Sequence, residues 1–224
     1  KTEIVRKEKI FKPRIKMINE ILKEYGVADC NTMLEVGCGY GWFLELAKES
    51  KLANHFIAVE PSPKFCEACK RIPGIEVWGI HPSSYPLNHT MEGYGRWVLI
   101  NGVEKGDSEV IEKKACDEVM PFLIKADNLN LPFKDDYFDC VISIENVCAF
   151  FPEDSVEVLR ELVRVAKNNG KSSYIQNDSW RNEYEEGKLR AWTLLCKDLR
   201  GIDEWIKLYS EVGFEGDYGW TVIV

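Results

Sequence analysis

Apolar positions change period along the chain, and the changes mark its elements. In PRIKMINEILKEY (13–25), Ile15, Ile18, Ile21 or Leu22, and Tyr25 recur at helical spacing, and Pro13 suits a first helical turn. Short unbroken apolar runs then replace that period: TMLEVG, HFIAVE (55–60), FLIKAD (122–127) and FDCVISI (138–144), each running into a glycine or an acid. Such runs predict buried parallel strands. WFLELAKES and SPKFCEACKR read as helices between them. DSVEVLRELVRVAKNNG sets Val156, Leu159, Leu162 or Val163, and Ala166 on one face, with Asn169-Gly170 as its stop. KSSYIQ is a further strand, and GIDEWIKLYSEVGF a helix ending at Gly213. Strands alternating with helices predict an α/β protein with a doubly wound, mainly parallel sheet.

Two stretches break the alternation. Residues 81–121 run from HPSSYPLNHTMEGYGRW through the Asn101-Gly102 turn to a charged, helix-like segment ending near Met120. Forty structureless residues are rare inside a compact domain, so this stretch is predicted to be an inserted lid or subdomain. In 178–200, Leu189, Trp192, Leu195 and Leu199 predict an amphipathic helix, a second lid element. The organisation expected is one domain over 1–224 carrying both.

Composition narrows the classes. No run approaches the ~20 apolar residues of a membrane-spanning helix, and no secretory leader pattern opens the chain, so a cytoplasmic protein away from membranes is expected. A net charge of −8 argues against a nucleic-acid partner, which demands a basic face. Eight cysteines include one C-x-x-C, Cys66 and Cys69, without the second pair that a zinc site needs. Several others, such as Cys140, lie in apolar runs and read as reduced, packed thiols, with a redox pair at Cys66/Cys69 as the minor alternative. No metal is predicted. The basic opening KTEIVRKEKIFKPRIK is read as a cap over the ligand site rather than a lipid-binding helix.

The chemistry concentrates in MLEVGCGYGW (33–42). A glycine turn between a first strand and a helix exposes backbone N–H groups and lets a ligand approach closely. The dinucleotide fingerprint wants G-x-G-x-x-G, but Trp42 falls where its third glycine belongs; a phosphate-cradling loop would need a following Lys-Ser/Thr pair. With its neighbours, the segment resembles the first motif of class I S-adenosylmethionine-dependent methyltransferases. AVEPS, ADNLNLPFKDDYFDCVISI and EWIKLYSEVGF are similar to later motifs of that family, in order.

The resemblance implies a Rossmann-like, seven-stranded sheet with an inserted lid, and S-adenosylmethionine as the cofactor. It gives Glu60 the ribose hydroxyls, Asp127 the adenine amine, and the Asn128 or Leu129 backbone a ring nitrogen. Gly37 and Gly39 would let the amino acid end lie against the chain, and Glu35 would orient that end and lend negative potential near the sulfonium. Cys38, Tyr40 and Gly41 of the turn, Pro61 and Ser62 after Glu60, and Ser143 and Ile144 at the end of the later strand complete the implied set. The rival role of each acid is a helix cap or a solvated turn.

Methyl transfer needs alignment and sometimes a base rather than a triad. Glu145 follows the strand nearest the transferred methyl in this family and is the leading candidate to touch an acceptor; its alternative is a helix N-terminal acid. His81 and His89 are candidate bases carried by the insert. Family members that methylate nucleic-acid bases carry Asn/Asp-Pro-Pro-aromatic where this chain has Ile144-Glu145-Asn146-Val147. The reading is therefore methyl transfer to a small-molecule acceptor, aided by Tyr85, Tyr94, Trp97, Trp180, Tyr184 and Trp192 in the two odd stretches. The rivals are a catalytically silent scaffold or partner subunit, which retains the cofactor, and a nicotinamide dehydrogenase. A homodimer is compatible with either reading.

Overall fold

A computed structural model describes residues 11–24, 30–60, 63–79, 131–193 and 196–223. Helix α1 (Lys12–Glu24) precedes β1 (Thr32–Val36), α2 (Trp42–Glu49), β2 (His55–Glu60), α3 (Pro63–Cys69) and β3 (Ile75–Gly79). After the expected insert, which lies outside the described residues, come β4 (Cys140–Ile144), α4 (Pro152–Val165), β5 (Tyr174–Asp178), α5 (Glu183–Trp192), α6 (Ile202–Glu211) and β6 (Asp217–Thr221).

The six strands form one sheet in the order β3-β2-β1-β4-β5-β6, and every neighbouring pair is parallel. Six strands stand among the described residues against the seven expected. The last is DYGWT, whose parallel register sets Asp217 beside Tyr174 and Thr221 beside Asp178. The order reverses between β1 and β4, and ligands of open α/β sheets bind at such a switch, beyond the carboxyl ends of the strands.

Side chains alternate across the sheet, and each face has its own core. Met33, Phe56 and Ala58 face α1, α2 and α3 through Ile15, Ile18, Leu22, Phe43, Leu44, Cys66 and Cys69. Leu34, Val36, Ile57 and Val59 face α4 and α6 through Val158, Leu159, Leu162, Trp205, Leu208 and Tyr209. The seven cysteines among the described residues are free thiols, and six are buried. No helix among the described residues is long and apolar enough to cross a membrane.

Element ends follow local chemistry with two departures. Helix α4 starts with Pro152 in its first turn and carries Glu153 and Asp154 there, as the helix dipole favours. It stops at Val165, earlier than Asn169-Gly170, because Ala166 is extended and bridges to Phe138; the two asparagines then adopt left-handed φ of 51° and 53° in a tight turn. Helix α5 is capped at its start by Asn182, whose side chain accepts the Glu185 N–H, and buries Leu189 but leaves Trp192 58% exposed. Trp192 and Tyr184 therefore line no internal core.

Candidate functional site

The turn after β1 is a left-handed loop tied to β2. Gly37 N–H donates to Val59 O at 2.8 Å, and Gly37, Gly39 and Gly41 have φ of 78°, 54° and 72°. Two of these glycines are required by their neighbours. A Cβ on Gly37 would lie 2.4 Å from Asn146 Oδ1, and one on Gly41 2.5 Å from Cys69 Sγ. Gly39 differs: among the described residues nothing stands within 4 Å of where its Cβ would be, so these residues leave the loop's backbone bare there.

Two carboxylates flank that opening. Glu60, at the tip of β2, is 4% exposed and accepts the Gly39 N–H at 2.8 Å. Glu35, one residue before the end of β1, is 3% exposed, and its Oε2 has no partner among the described residues. Burial, with Cys69 and Glu60 close by, pushes the Glu35 carboxyl well above the usual carboxylate range. An orphaned buried acceptor costs about 1–3 kcal/mol, so the arrangement suits a ligand bringing a donor or a positive charge. The Cys38 thiol is hydrogen-bonded to Cys69 and buried, and both effects hold it protonated.

Trp42 takes up the space beside the turn in another way than a third glycine. Its indole stacks on Tyr40 with centroids 4.9 Å apart, Phe11 meets it edge-on at 6.4 Å, and Tyr40 also packs against Phe65 at 4.7 Å. Tyr40 remains partly exposed and forms an aromatic wall next to Gly39 and Gly41.

Beyond β4 and β5 the edge is strained and polar. Glu145 sits at φ 56°, donates its N–H to Gln176 O at 2.8 Å, and accepts from Thr221 Oγ1 at 3.0 Å. Glu145 also directly precedes Asn146, the N-cap of the short helical turn Val147–Ala149, so the alternative role of a helix N-terminal acid stands beside this contact. A polar relay positions the carboxylate: Arg14 Nε donates to Gln176 Oε1 (2.6 Å), Gln176 Nε2 to Thr221 Oγ1 (2.7 Å), and Thr221 to Glu145. Ser143 Oγ and Asn146 Nδ2 are buried without partners among the described residues. Ile144 is buried beside them.

Of the residues singled out by pattern or resemblance, Glu35, Gly37, Cys38, Gly39, Tyr40, Gly41 and Glu60 gather around the first turn, and Ser143, Ile144 and Glu145 end β4. Pro61, Ser62, Asp127, Asn128, Leu129, His81 and His89 lie outside the described residues. His55 is exposed at the start of β2, at the opposite edge of the sheet from Glu60. Sequence reasoning missed Asn146 against Gly37, the Arg14–Gln176–Thr221 relay, and Asp178 at the tip of β5. Arg14 lies in the basic segment read as a cap, which was the one available signal.

The profile of a family described as "Methyltransferase domain" matches residues 88–173, a stretch that contains β4 and α4 but not the glycine turn. No curated protein sequence matches. A chain from the complex of the Haloferax volcanii Trm112 methyltransferase activator with a methyltransferase superposes with a TM-score of 0.54 at 14% identity, over 89% of this chain and 72% of that one. The plantazolicin methyltransferase BpumL, solved with a desmethylPZN analog and SAH, gives 0.57 at 12% identity, over 94% and 67%. The [4+2]-cyclase SpnF gives 0.52 at 12% identity, over 88% and 56%. The chain thus matches the methyltransferase-domain family over 88–173 and has the Rossmann-like fold of class I methyltransferases.

Proposed function

We propose that this chain is an enzyme that binds S-adenosylmethionine at the β1–β2 turn and transfers its methyl group to a small-molecule acceptor held across the ends of β4 and β5. The observation that carries the reading is the pair of buried carboxylates beside a bare backbone: among the described residues, Glu35 has an oxygen without a partner, Glu60 accepts the Gly39 N–H, and nothing stands in front of Gly39. BpumL, described with SAH, supports a ligand of this class.

When bound, the sulfonium supplies an activated methyl carbon, so the protein's task is alignment and charge. Glu60 is positioned to accept two ribose hydroxyls, exchanging its Gly39 contact for theirs. Glu35 meets the amino acid end and favours positive charge nearby. By its motif, Asp127 takes the adenine amine, with the Asn128 or Leu129 backbone beside it. Cys38, Tyr40, Gly41, Pro61, Ser62, Ser143 and Ile144 line the same ligand. Glu145, held by Thr221, orients the acceptor or takes the proton it loses as the new bond forms, with His81 and His89 as further bases. The acidic edge and the absence of the Pro-Pro-aromatic motif after β4 favour a small molecule over nucleic acid, and the protein is read as cytoplasmic.

The fold alone does not decide the reaction, since a chain described as a [4+2]-cyclase shares it. A thermal-shift comparison tests the reading directly. S-adenosylhomocysteine at ~100 times its Kd should stabilise by about 2.7 kcal/mol while NAD gives no shift, and Glu60→Ala with Asp127→Ala should abolish the effect in a folded protein. Stabilisation by NAD instead, or an unchanged shift in the double variant, would refute it. Binding without label transfer to any of a broad acceptor panel would leave the silent scaffold.

A further inference from the structure

Three metal-ligand side chains, distant in sequence, converge beyond β4 and β5. Cys148 lies in the short turn Val147–Ala149 after β4, Asp178 ends β5, and Cys196 lies in the loop after α5. Cys196 Sγ is 3.1 Å from Cys148 Sγ and 2.9 Å from Asp178 Oδ2, and the three donor atoms lie within 4.8 Å of one another. Backbone bonds hold the group together. Cys148 O accepts the N–H of Lys197 (2.8 Å) and Asp198 (3.1 Å), Cys148 N–H donates to Asn177 Oδ1 (3.2 Å), and Trp205 Nε1 donates to Asp178 O (3.3 Å).

A second observation points to a ligand. Asp178 is 4% exposed, and its Oδ1 has no partner among the described residues, while Glu145 adds negative charge to the same spot. Two thiols and a buried carboxylate with a spare oxygen lack a cation. A plain disulfide would use the two sulfurs, remove the Cys196 S–H that Asp178 Oδ2 accepts, and leave both carboxylate oxygens wanting.

We propose that Cys148, Asp178 and Cys196 bind one thiophilic divalent metal ion of the zinc type. Both cysteines bind as thiolates, so uptake of one M2+ releases two protons, and the carboxylate brings the site to net −1. Tetrahedral bonds of ~2.3 Å set thiolate sulfurs roughly 3.8 Å apart, which asks the half-buried Cys196 loop to shift by under ~1 Å. Two sulfurs exclude magnesium and calcium, which take oxygen ligands. Three protein ligands leave a fourth position for water or for a lone-pair atom of another molecule, on the edge where Glu145 stands. The site uses none of the Glu35–Glu60 machinery, so it stands apart from the donor reading.

The test is a titration of full-length protein, stripped with chelator and kept reduced with a phosphine, using Co2+ as the spectroscopic stand-in and Zn2+ as competitor. One Co2+ per chain should bind, with a thiolate-to-cobalt charge-transfer band in the near ultraviolet that Zn2+ abolishes. Cys196→Ser should halve that band and weaken binding at least ~10-fold, and Asp178→Asn should weaken it with the band kept. Cys148 is fully buried and its variant is not needed. Circular dichroism and S-adenosylhomocysteine affinity, followed in the same samples, show that the variants are folded. Absence of Co2+ uptake by the folded, reduced wild type overturns the proposal, as does wild-type affinity in both variants. Recovery of a Cys148–Cys196 disulfide from unreduced protein, with no metal uptake after reduction, overturns it in favour of a redox pair.

Discussion

The two halves of the carboxyl edge solve their polar problems differently. On the β1–β2 side, nearby groups absorb nearly everything: Val59 O takes the Gly37 N–H, the Glu60 carboxylate takes the Gly39 N–H, and among the described residues one buried oxygen, Glu35 Oε2, is left over. On the β4–β5 side, three buried polar atoms have no partner among the described residues, Ser143 Oγ, Asn146 Nδ2 and Asp178 Oδ1, and Glu145 holds a left-handed φ that its side chain disfavours. A loop that closes on itself is preorganised for one recurring ligand. An edge left strained and unsatisfied among the described residues is the place to look for something that completes it.

The largest effect should separate stability from binding within the glycine turn. Gly41→Ala adds a methyl 2.5 Å from Cys69 Sγ and 2.9 Å from Ile72 Cδ1 at a φ of 72°. It should cost about 2–4 kcal/mol of unfolding free energy, combining overpacking with a strained φ. Gly39→Ala meets no neighbour and should cost only the ~1–2 kcal/mol of a left-handed non-glycine residue, while donor affinity falls steeply. Denaturant melts with and without S-adenosylhomocysteine distinguish the two. Equal destabilisation with equal affinity loss would mean that all three glycines serve packing alone.

Next in size is the carboxylate at the tip of β2. On the proposed function, Glu60→Ala would remove two charge-assisted hydrogen bonds to a ribose and should weaken S-adenosylhomocysteine by about 2–3 kcal/mol, roughly 30- to 150-fold, by calorimetry. Asp178→Ala, at the other half of the edge, should change that affinity by less than ~3-fold. A reversed order would place the donor across β4–β5.

This division also explains how much could be read from residues alone. The half proposed to bind the donor was legible as a candidate because its parts are local: an apolar strand, an acid, a glycine turn and a helix follow one another within MLEVGCGYGW, and Glu60 closes the next strand in the same way. The alternating α/β rhythm likewise carried the fold class. The order β3-β2-β1-β4-β5-β6 was not legible, since no local property of β4 says that it pairs with β1. Everything that depends on that order stayed hidden: Asn146 under Gly37, Thr221 on Glu145 from 76 positions away, and Cys148 meeting Cys196 across 48. A C-x-x-C draws the eye, yet Cys66 and Cys69 are buried thiols, with Cys66 donating to Glu60 O at 3.1 Å. The sulfurs placed beside a carboxylate lie far apart in the chain.

A smaller effect concerns pH on the donor side. Burial raises the Glu35 pKa in the folded protein above its unfolded value, so folding takes up a proton in the window between the two. Stability without ligand should therefore fall as pH climbs through that window and level off above it. A cationic donor prefers the ionised carboxylate, so its affinity should rise over the same window, by at most about tenfold per pH unit for one proton. Glu35→Gln should flatten both profiles. Profiles unchanged in that variant would assign the titration to another group and leave Glu35 a packing residue.

The smallest change in stability, and the clearest mark of the acceptor half, is expected at Glu145. A glutamate at φ 56° stores about 1 kcal/mol that glycine does not, set against the lost Thr221 contact and the flexibility that glycine adds to the unfolded chain. Glu145→Gly should consequently shift unfolding free energy by less than ~1 kcal/mol in either direction. Methyl transfer, once an acceptor is in hand, should fall at least ~100-fold in kcat with S-adenosylhomocysteine affinity unchanged, as expected for a lost base or orienting group. Glu145→Gln separates charge from shape, and Thr221→Val, which frees the carboxylate from its relay without removing it, should produce an intermediate loss. If all three retain wild-type turnover, the strain at Glu145 belongs to the chain's path out of β4, and the acceptor must be sought elsewhere along the edge.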